Sequence, residues 1–143
     1  MRGSVRRHEV LAVPADRAWA AITRADLLHH WFPGLTDCTL EGDVRTVHLA
    51  TGIVMAERIV TNDAIARRFQ YRIEGGLFKD HLATIDVFAL DHESCLVSYA
   101  TDADPSTMAV VLGGAMQAAL NELRRQLEAD AGPLVDALAV TAA

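Results

Sequence analysis

Glu57 stands out among the residues able to do chemistry. Along residues 51–60, TGIVMAERIV, an extended backbone puts Ile53, Met55, Glu57 and Ile59 on one face. Val54, Ala56, Arg58 and Val60 take the other, because successive strand side chains alternate. A carboxylate in an apolar row is costly to bury without a partner. Two roles fit it. It can hold a polar group of a ligand, directly or through water, at the back of an apolar pocket. Alternatively it pairs with Arg45, Arg58 or a tyrosine hydroxyl and stabilises the sheet interior.

Three further side chains can hold or move a proton. His81 follows a turn, where it either begins an inward-facing strand or lies exposed beside a loop. Tyr71 and Tyr99 each carry a hydroxyl that needs a partner when buried. Should Glu57, His81 and Tyr99 converge, they form an acid/base set. Such a set can take a proton next to a carbonyl and protonate a leaving hydroxyl. Glu9 shares strand parity with Leu11 and Val13, so it points inward or sits on a solvated edge. His29 and His30, beside Trp31, read as decoration on a short surface helix. The six histidines (His8, His29, His30, His48, His81, His92) have no metal-ligand spacing, so no metal or other cofactor is expected. Cys38 and Cys95 form no CxxC pair and read as buried free thiols in a reducing cytoplasm.

The elements that must position these residues follow from pattern and punctuation. The 143 residues suit one domain, expected to span 1–143 with a core over about 4–130 and a tail over 131–143. The 51% hydrophobic content allows a core plus an apolar cavity wall. The net charge of −6, with Lys79 the only lysine, argues against nucleic acid as partner. No signal-peptide pattern and no membrane-spanning apolar run are evident, so no membrane insertion is expected. Residues 4–13 alternate as a strand. Pro14 opens a short helix carrying Ala15, Ala18, Trp19 and Ile22. A second short helix holds Leu27, Leu28, Trp31 and Phe32 and stops at Pro33–Gly34. Six strand-like runs follow, LTDCTL, VRTVHLA, IVMAERIV, RRFQYRI, LATIDVFAL and CLVSYAT, separated by turn-forming breaks.

A long helix over about 105–130 closes the pattern, with Asp104 as N-cap and Pro105 in the first turn. Met108, Val111, Leu112, Ala115, Met116, Ala119, Leu120, Leu123 and Leu127 make one apolar face. Gly113–Gly114 inside it cost about 1 kcal/mol each relative to Ala, and mark either a bend or a tolerated imperfection. Gly132–Pro133 stops the helix, and the tail beyond is expected to fray or add one turn. The fold class is therefore α+β: a curved seven-stranded antiparallel sheet around a long C-terminal helix, with two short helices after the first strand. Such a sheet is wider than one helix can cover, which leaves a cavity on the order of 300–1,000 Å³.

Apolar parity selects the side chains expected to line it. From the strands these are Val47 and Leu49; Met55, Glu57 and Ile59; Phe69, Tyr71 and Ile73; His81, Ala83 and Ile85; and Val97, Tyr99 and Thr101. The helix adds Met108, Leu112, Ala115, Met116 and Ala119. For many of these, plain core packing explains the pattern equally well.

This element order resembles the helix-grip fold of the START, pollen-allergen and polyketide cyclase/dehydrase superfamily over about residues 4–130. VPADRAWAAIT is similar to the family's opening. The ordered set Gly42, Arg45, Val47, Gly52, Glu57, Arg58, Asp63, Arg68 and Gly75–Gly76 resembles the bacterial cyclase-like subgroup related to plant abscisic acid receptors. The resemblance implies a pocket for a small, largely apolar molecule, with Glu57 on its wall. Two departures matter. The receptors' carboxylate-anchoring lysine has no counterpart in WFPGLTDCTL, and only the four residues IVMA separate Gly52 from Glu57. A hormone-receptor role with a phosphatase partner is therefore not implied, and no protein partner is indicated. Three functions remain: a carrier or sensor of a small hydrophobic molecule, a cyclase/dehydratase-like enzyme, and an interaction module with a collapsed cavity.

Overall fold

The computed structural model describes residues 1–141. Strand β1 (Gly3–Leu11) is followed by helix α1 (Ala15–Ile22) and a 3₁₀ helix (Ala25–His30). Six strands come next: β2 (Leu35–Glu41), β3 (Val44–Leu49), β4 (Val54–Asp63), β5 (Arg68–Glu74), β6 (Asp80–Ala89) and β7 (Cys95–Asp104). Helices α2 (Ser106–Ala129) and α3 (Pro133–Thr141) end the described chain. The strands form one antiparallel sheet in the order β1-β7-β6-β5-β4-β3-β2. Hairpins connect β2 to β7 in sequence, whereas β1 and β2 occupy opposite edges. The segment carrying α1 and the 3₁₀ helix makes that crossing. Helix α2 packs on β1 and β7, so the sheet curls around it as expected.

Burial alternates along the strands as the pleat dictates: β6 and β7 bury every second residue from His81 to Val87 and from Cys95 to Ala103. At one end of the grip the interior is solid. Leu120, Leu123 and Leu127 of α2 are fully buried with Ala18, Ala21 and Ile22 of α1 and with Leu11, Val87, Cys95 and Val97 of the sheet. Gln126, also fully buried, fastens three elements. Its Nε2 donates to His30 O (2.7 Å), and its Oε1 accepts from Leu134 N (2.8 Å).

Several local expectations are corrected. The tail is not frayed: α3 forms a helix of nine residues and buries Leu134 completely, while residues 142–143 of the expected tail lie outside the described residues. The N-cap of α2 is Pro105, one residue later than expected. Val111 is 67% exposed, because α2 presents Ala109, Gly113 and Met116 to the sheet at its start. Helix α2 runs through Gly113–Gly114 without interruption, and Gly113 sits against β1. A Cβ there would lie 2.8 Å from Arg7 Nη2 and 2.9 Å from Val5 Cγ2. That glycine permits a close approach, while Gly114 faces open space. Glu9 points toward α2 rather than away from it, and accepts from Gln117 Nε2 (3.0 Å) and Arg124 Nη1 (3.2 Å). His29 and His30 are half-buried rather than surface decoration, with their ring centroids 4.0 Å apart and tilted at 37°.

Candidate functional site

At the other end of the grip the sheet and α2 diverge and leave a cavity of about 180 Å³. It is smaller than the sequence-based expectation, and the reason is visible. The bulky Tyr71 and Tyr99 side chains stand on its wall, and the buried Arg45 packs against Tyr71 and Phe69 beside it. Parity supplies most of the wall: Val47, Leu49, Met55, Glu57, Tyr71, Ile73, His81, Tyr99 and Thr101 from the strands, Leu112, Ala115 and Met116 from α2.

Seven other expected residues do not reach it. Phe69, Ala83, Val97 and Ala119 are buried in the packed core, and so is Ile85 from the same parity set. Ile59 is half-buried against that core, and a register shift between Ile59 and Thr61 follows it in the β4–β5 pairing. Met108 is half-buried on the first turn of α2 and also lies off the wall. Parity tells face, not depth along the strand. The wall also contains Leu28, Phe32, Pro33, Gly34 and Leu35, which sequence reasoning did not assign to it. These come from the 3₁₀ helix and the turn after it, where no periodicity marks a face. The usable signal was an apolar cluster in a segment too short to have a core of its own.

The polar end of the cavity is built across β3, β4, β5, β6 and β7. Arg45 and Glu57 are cross-strand partners, and Arg45 Nε donates to Glu57 Oε1 at 2.7 Å. Glu57 Oε2 has no hydrogen bond among the described residues. Both proposed roles of Glu57 are thus geometrically open at once: it is paired, and it lines the cavity. Arg45 also lies over aromatic faces, Cζ 4.8 Å from the Tyr71 centroid and 5.9 Å from that of Phe69. Its Nη1 donates to Ala25 O (3.4 Å), and its Nη2 is buried without a partner. Burial pushes the Glu57 carboxyl up, and the adjacent guanidinium only partly reverses this. For Arg45, burial is the largest influence and works against the charge, but Glu57, Tyr71 and Tyr99 together outweigh it, so the guanidinium is held protonated.

Tyr71 and Tyr99 are hydrogen-bonded hydroxyl to hydroxyl. Burial raises the pKa of both above the usual phenol value. His81 Nδ1 accepts the backbone N–H of Ile73 at 3.0 Å. The ring lies 5.0 Å from Phe78 and 5.8 Å from Tyr71. Burial pushes its pKa down to about 4, with Asp80 opposing and Arg72 reinforcing the change. Thr101 Oγ1 donates to Met116 Sδ (3.3 Å). Among the described residues no cluster of His, Cys, Asp and Glu is suited to a metal ion. Cys38 and Cys95 are buried and free, and burial pushes the Cys38 thiol up to about 11. No described helix is long and apolar enough to cross a membrane.

What this arrangement can do is admit a guest of about one ring, surround it with apolar side chains and present hydrogen-bonding groups at one end. Comparison with known proteins places the architecture. A family model described as polyketide cyclase / dehydrase and lipid transport matches residues 2–128. The XoxI protein of Bacillus cereus is 20% identical, with a TM-score of 0.82 over 90% of this chain and 99% of its own. Norcoclaurine synthase of Thalictrum flavum, in complex with dopamine and hydroxybenzaldehyde, is 17% identical with a TM-score of 0.73, covering 93% of this chain and 90% of its own. The Zhui aromatase/cyclase of a Streptomyces species is 19% identical with a TM-score of 0.72, covering 93% of this chain and all of its own (100%). At these identities the likeness is one of fold. No curated protein matches the chain in sequence.

Proposed function

The chain belongs to the polyketide cyclase / dehydrase and lipid transport family, and from that premise we propose that it binds a small, largely hydrophobic molecule between the sheet and α2, as a carrier or sensor. The observation that carries this reading is the cavity itself: about 180 Å³, walled mainly by apolar side chains, with Glu57, His81 and the tyrosine pair at one end. An apolar protein cavity of ~150 Å³ is enough to hold benzene, so a guest of single-ring size fits without rearrangement. An interaction module with a collapsed interior is the less supported alternative, because this interior is open. The chain acts in this reading as one ligand-binding domain. Its two free buried thiols suit a reducing compartment such as the cytoplasm.

The test is native mass spectrometry of the protein purified from its own host. A retained adduct of small-molecule mass, released on denaturation, is the expected result. Bare protein mass under gentle desolvation, together with no uptake of small aromatic hydrocarbons added in solution, would count against a binding role.

A second reading is favoured by one specific feature. Glu57, His81 and the Tyr71–Tyr99 pair line the same cavity, so an acid/base set for cyclase- or dehydratase-type chemistry is present in outline. In that reading Glu57 Oε2 takes a proton beside a carbonyl, and Tyr99 or His81 donates one. Turnover of an aromatic β-hydroxyketone to its unsaturated ketone, abolished in Glu57→Gln, is the outcome that would favour catalysis over carriage.

A further inference from the structure

The β5–β6 ladder pairs Arg68 with Asp86 through Tyr71 with Ala83 and goes no further, although both strands continue. Two residues beyond that last pair, Ile73 would face His81. The His81 backbone stays paired to Ala103 of β7, and its side chain reaches across instead. Nδ1 takes the Ile73 N–H at 3.0 Å, replacing the ladder carbonyl that is missing. A ring nitrogen that accepts a hydrogen bond carries a lone pair, so in the neutral imidazole the proton sits on Nε2. The ring is held in place between Phe78 and Tyr71. Nε2 has no protein partner among the described residues, is not among the sealed unpartnered atoms, and belongs to a residue on the cavity wall.

From this geometry we propose that His81 is the specificity-determining residue of the cavity, a fixed Nε2–H donor that selects an uncharged molecule bearing a hydrogen-bond acceptor, such as a carbonyl oxygen. The inference rests on the ligand-binding reading given above. The same wall turns away anions. Among the described residues no arginine or lysine lines it, and the buried Arg45 guanidinium nearby is already matched by Glu57. A carboxylate entering the cavity would lose its hydration without gaining a counter-charge. A guest lacking any acceptor would leave the His81 N–H unsatisfied. The depressed pKa of His81 agrees with a neutral ring at physiological pH.

Three probes of nearly equal shape separate the possibilities: acetophenone, its hydrocarbon isostere α-methylstyrene, and benzoate. Binding is measured by calorimetry on the full chain and on His81→Phe. Acetophenone is expected to bind, benzoate to bind at least ten-fold more weakly, and the affinity ratio of acetophenone to α-methylstyrene to fall about ten-fold in His81→Phe. An unchanged ratio in the folded variant overturns the inference while leaving the cavity reading intact. So does benzoate binding as well as acetophenone. Failure of all three probes removes the binding reading and the inference with it. Should His81→Phe not fold, ¹⁵N NMR of the wild-type protein decides: Nε2–H with a shift at Nε2 on adding acetophenone supports the assignment, and an Nδ1–H tautomer or an unmoved Nε2 signal overturns it.

Discussion

Arg45 and Glu57 face each other across the β3–β4 ladder and meet on its inner side, Nε to Oε1 at 2.7 Å, with the residues only 1% and 5% exposed. Two charges taken out of water are costly, and their mutual attraction offsets the cost only while both are present. Glu57→Gln therefore leaves a buried guanidinium without its counter-charge. We expect a loss of about 3–5 kcal/mol, and a similar loss for Arg45→Met. The double variant should recover most of it, because no unpaired charge remains. Urea midpoints of the four proteins measure the coupling. Two small, additive losses would show that the pair does not hold the interior together.

His81 makes stability depend on pH in a defined window. Its pKa is about 4 in the folded chain, against 6.5 ordinarily. The folded state thus favours the neutral ring, because burial strips the charged imidazolium of its hydration. The contribution is fully present above pH 6.5 and is lost as pH falls toward 4. At its full extent it amounts to about 3 kcal/mol. Glu57, on the same cavity wall, has a carboxyl raised by burial and responds to pH in its own right, so the informative quantity is the difference between wild type and His81→Phe. That difference should shrink steadily from pH 7 to pH 4. A constant offset across the window would show that the imidazole is not held neutral by the fold.

The same two residues show what the sequence makes legible. Strand parity alone puts Glu57 on the inner face, because alternation is enforced by the pleat, whereas for His81 it left an exposed place beside the loop open, which the burial along β6 excludes. By charge both Arg45 and Arg58 suit Glu57; alternation already puts Arg58 on the opposite face, and the register is what sets Arg45 directly across from Glu57. Arg58 lies on the outer face and binds Asp43 and Glu74 instead. Depth was not legible. Phe69 and Tyr71 share a face, but only Tyr71 reaches the cavity. The difference is set by where α2 and the 3₁₀ helix close over the sheet. The Phe32–Leu35 wall was hidden for a related reason: a turn has no period from which to read a face. The His81 bond to Ile73 depends on two strands splaying apart, which no local pattern encodes.

Ala115 and Ala119, four residues apart on α2, should respond differently to the same enlargement. Ala115 is exposed and lines the cavity, whereas Ala119 is fully buried and off the wall. Ala115→Phe is expected to occupy the cavity, weakening α-methylstyrene binding at least ten-fold with little change in stability. Ala119→Phe overpacks a filled core and should cost about 1–3 kcal/mol. Calorimetric binding and urea midpoints on both variants check this. Full α-methylstyrene affinity in a folded Ala115→Phe protein would place the binding site elsewhere.

Gly113 and Gly114 occupy adjacent positions in one continuous helix, so their intrinsic cost to α2 is the same, about 1 kcal/mol each relative to Ala. Their surroundings differ. A methyl group on Gly114 meets nothing within 4 Å, so Gly114→Ala should gain most of that propensity. For a chain of this length the gain corresponds to a rise in Tm of about 3 °C. A methyl group on Gly113 would come within 2.8 Å of Arg7 Nη2 and 2.9 Å of Val5 Cγ2. The arginine tip can swing aside, but the β-branched valine has little rotamer freedom, so α2 must lift from β1 to accommodate it. Gly113→Ala should therefore lower Tm below that of the wild type, despite the better helix former. The expected order is Gly114→Ala, wild type, Gly113→Ala from highest to lowest. Equal gains from both substitutions would mean that α2 is not seated closely on β1 at this point, and that the grip at the cavity end is looser than the contact distances imply.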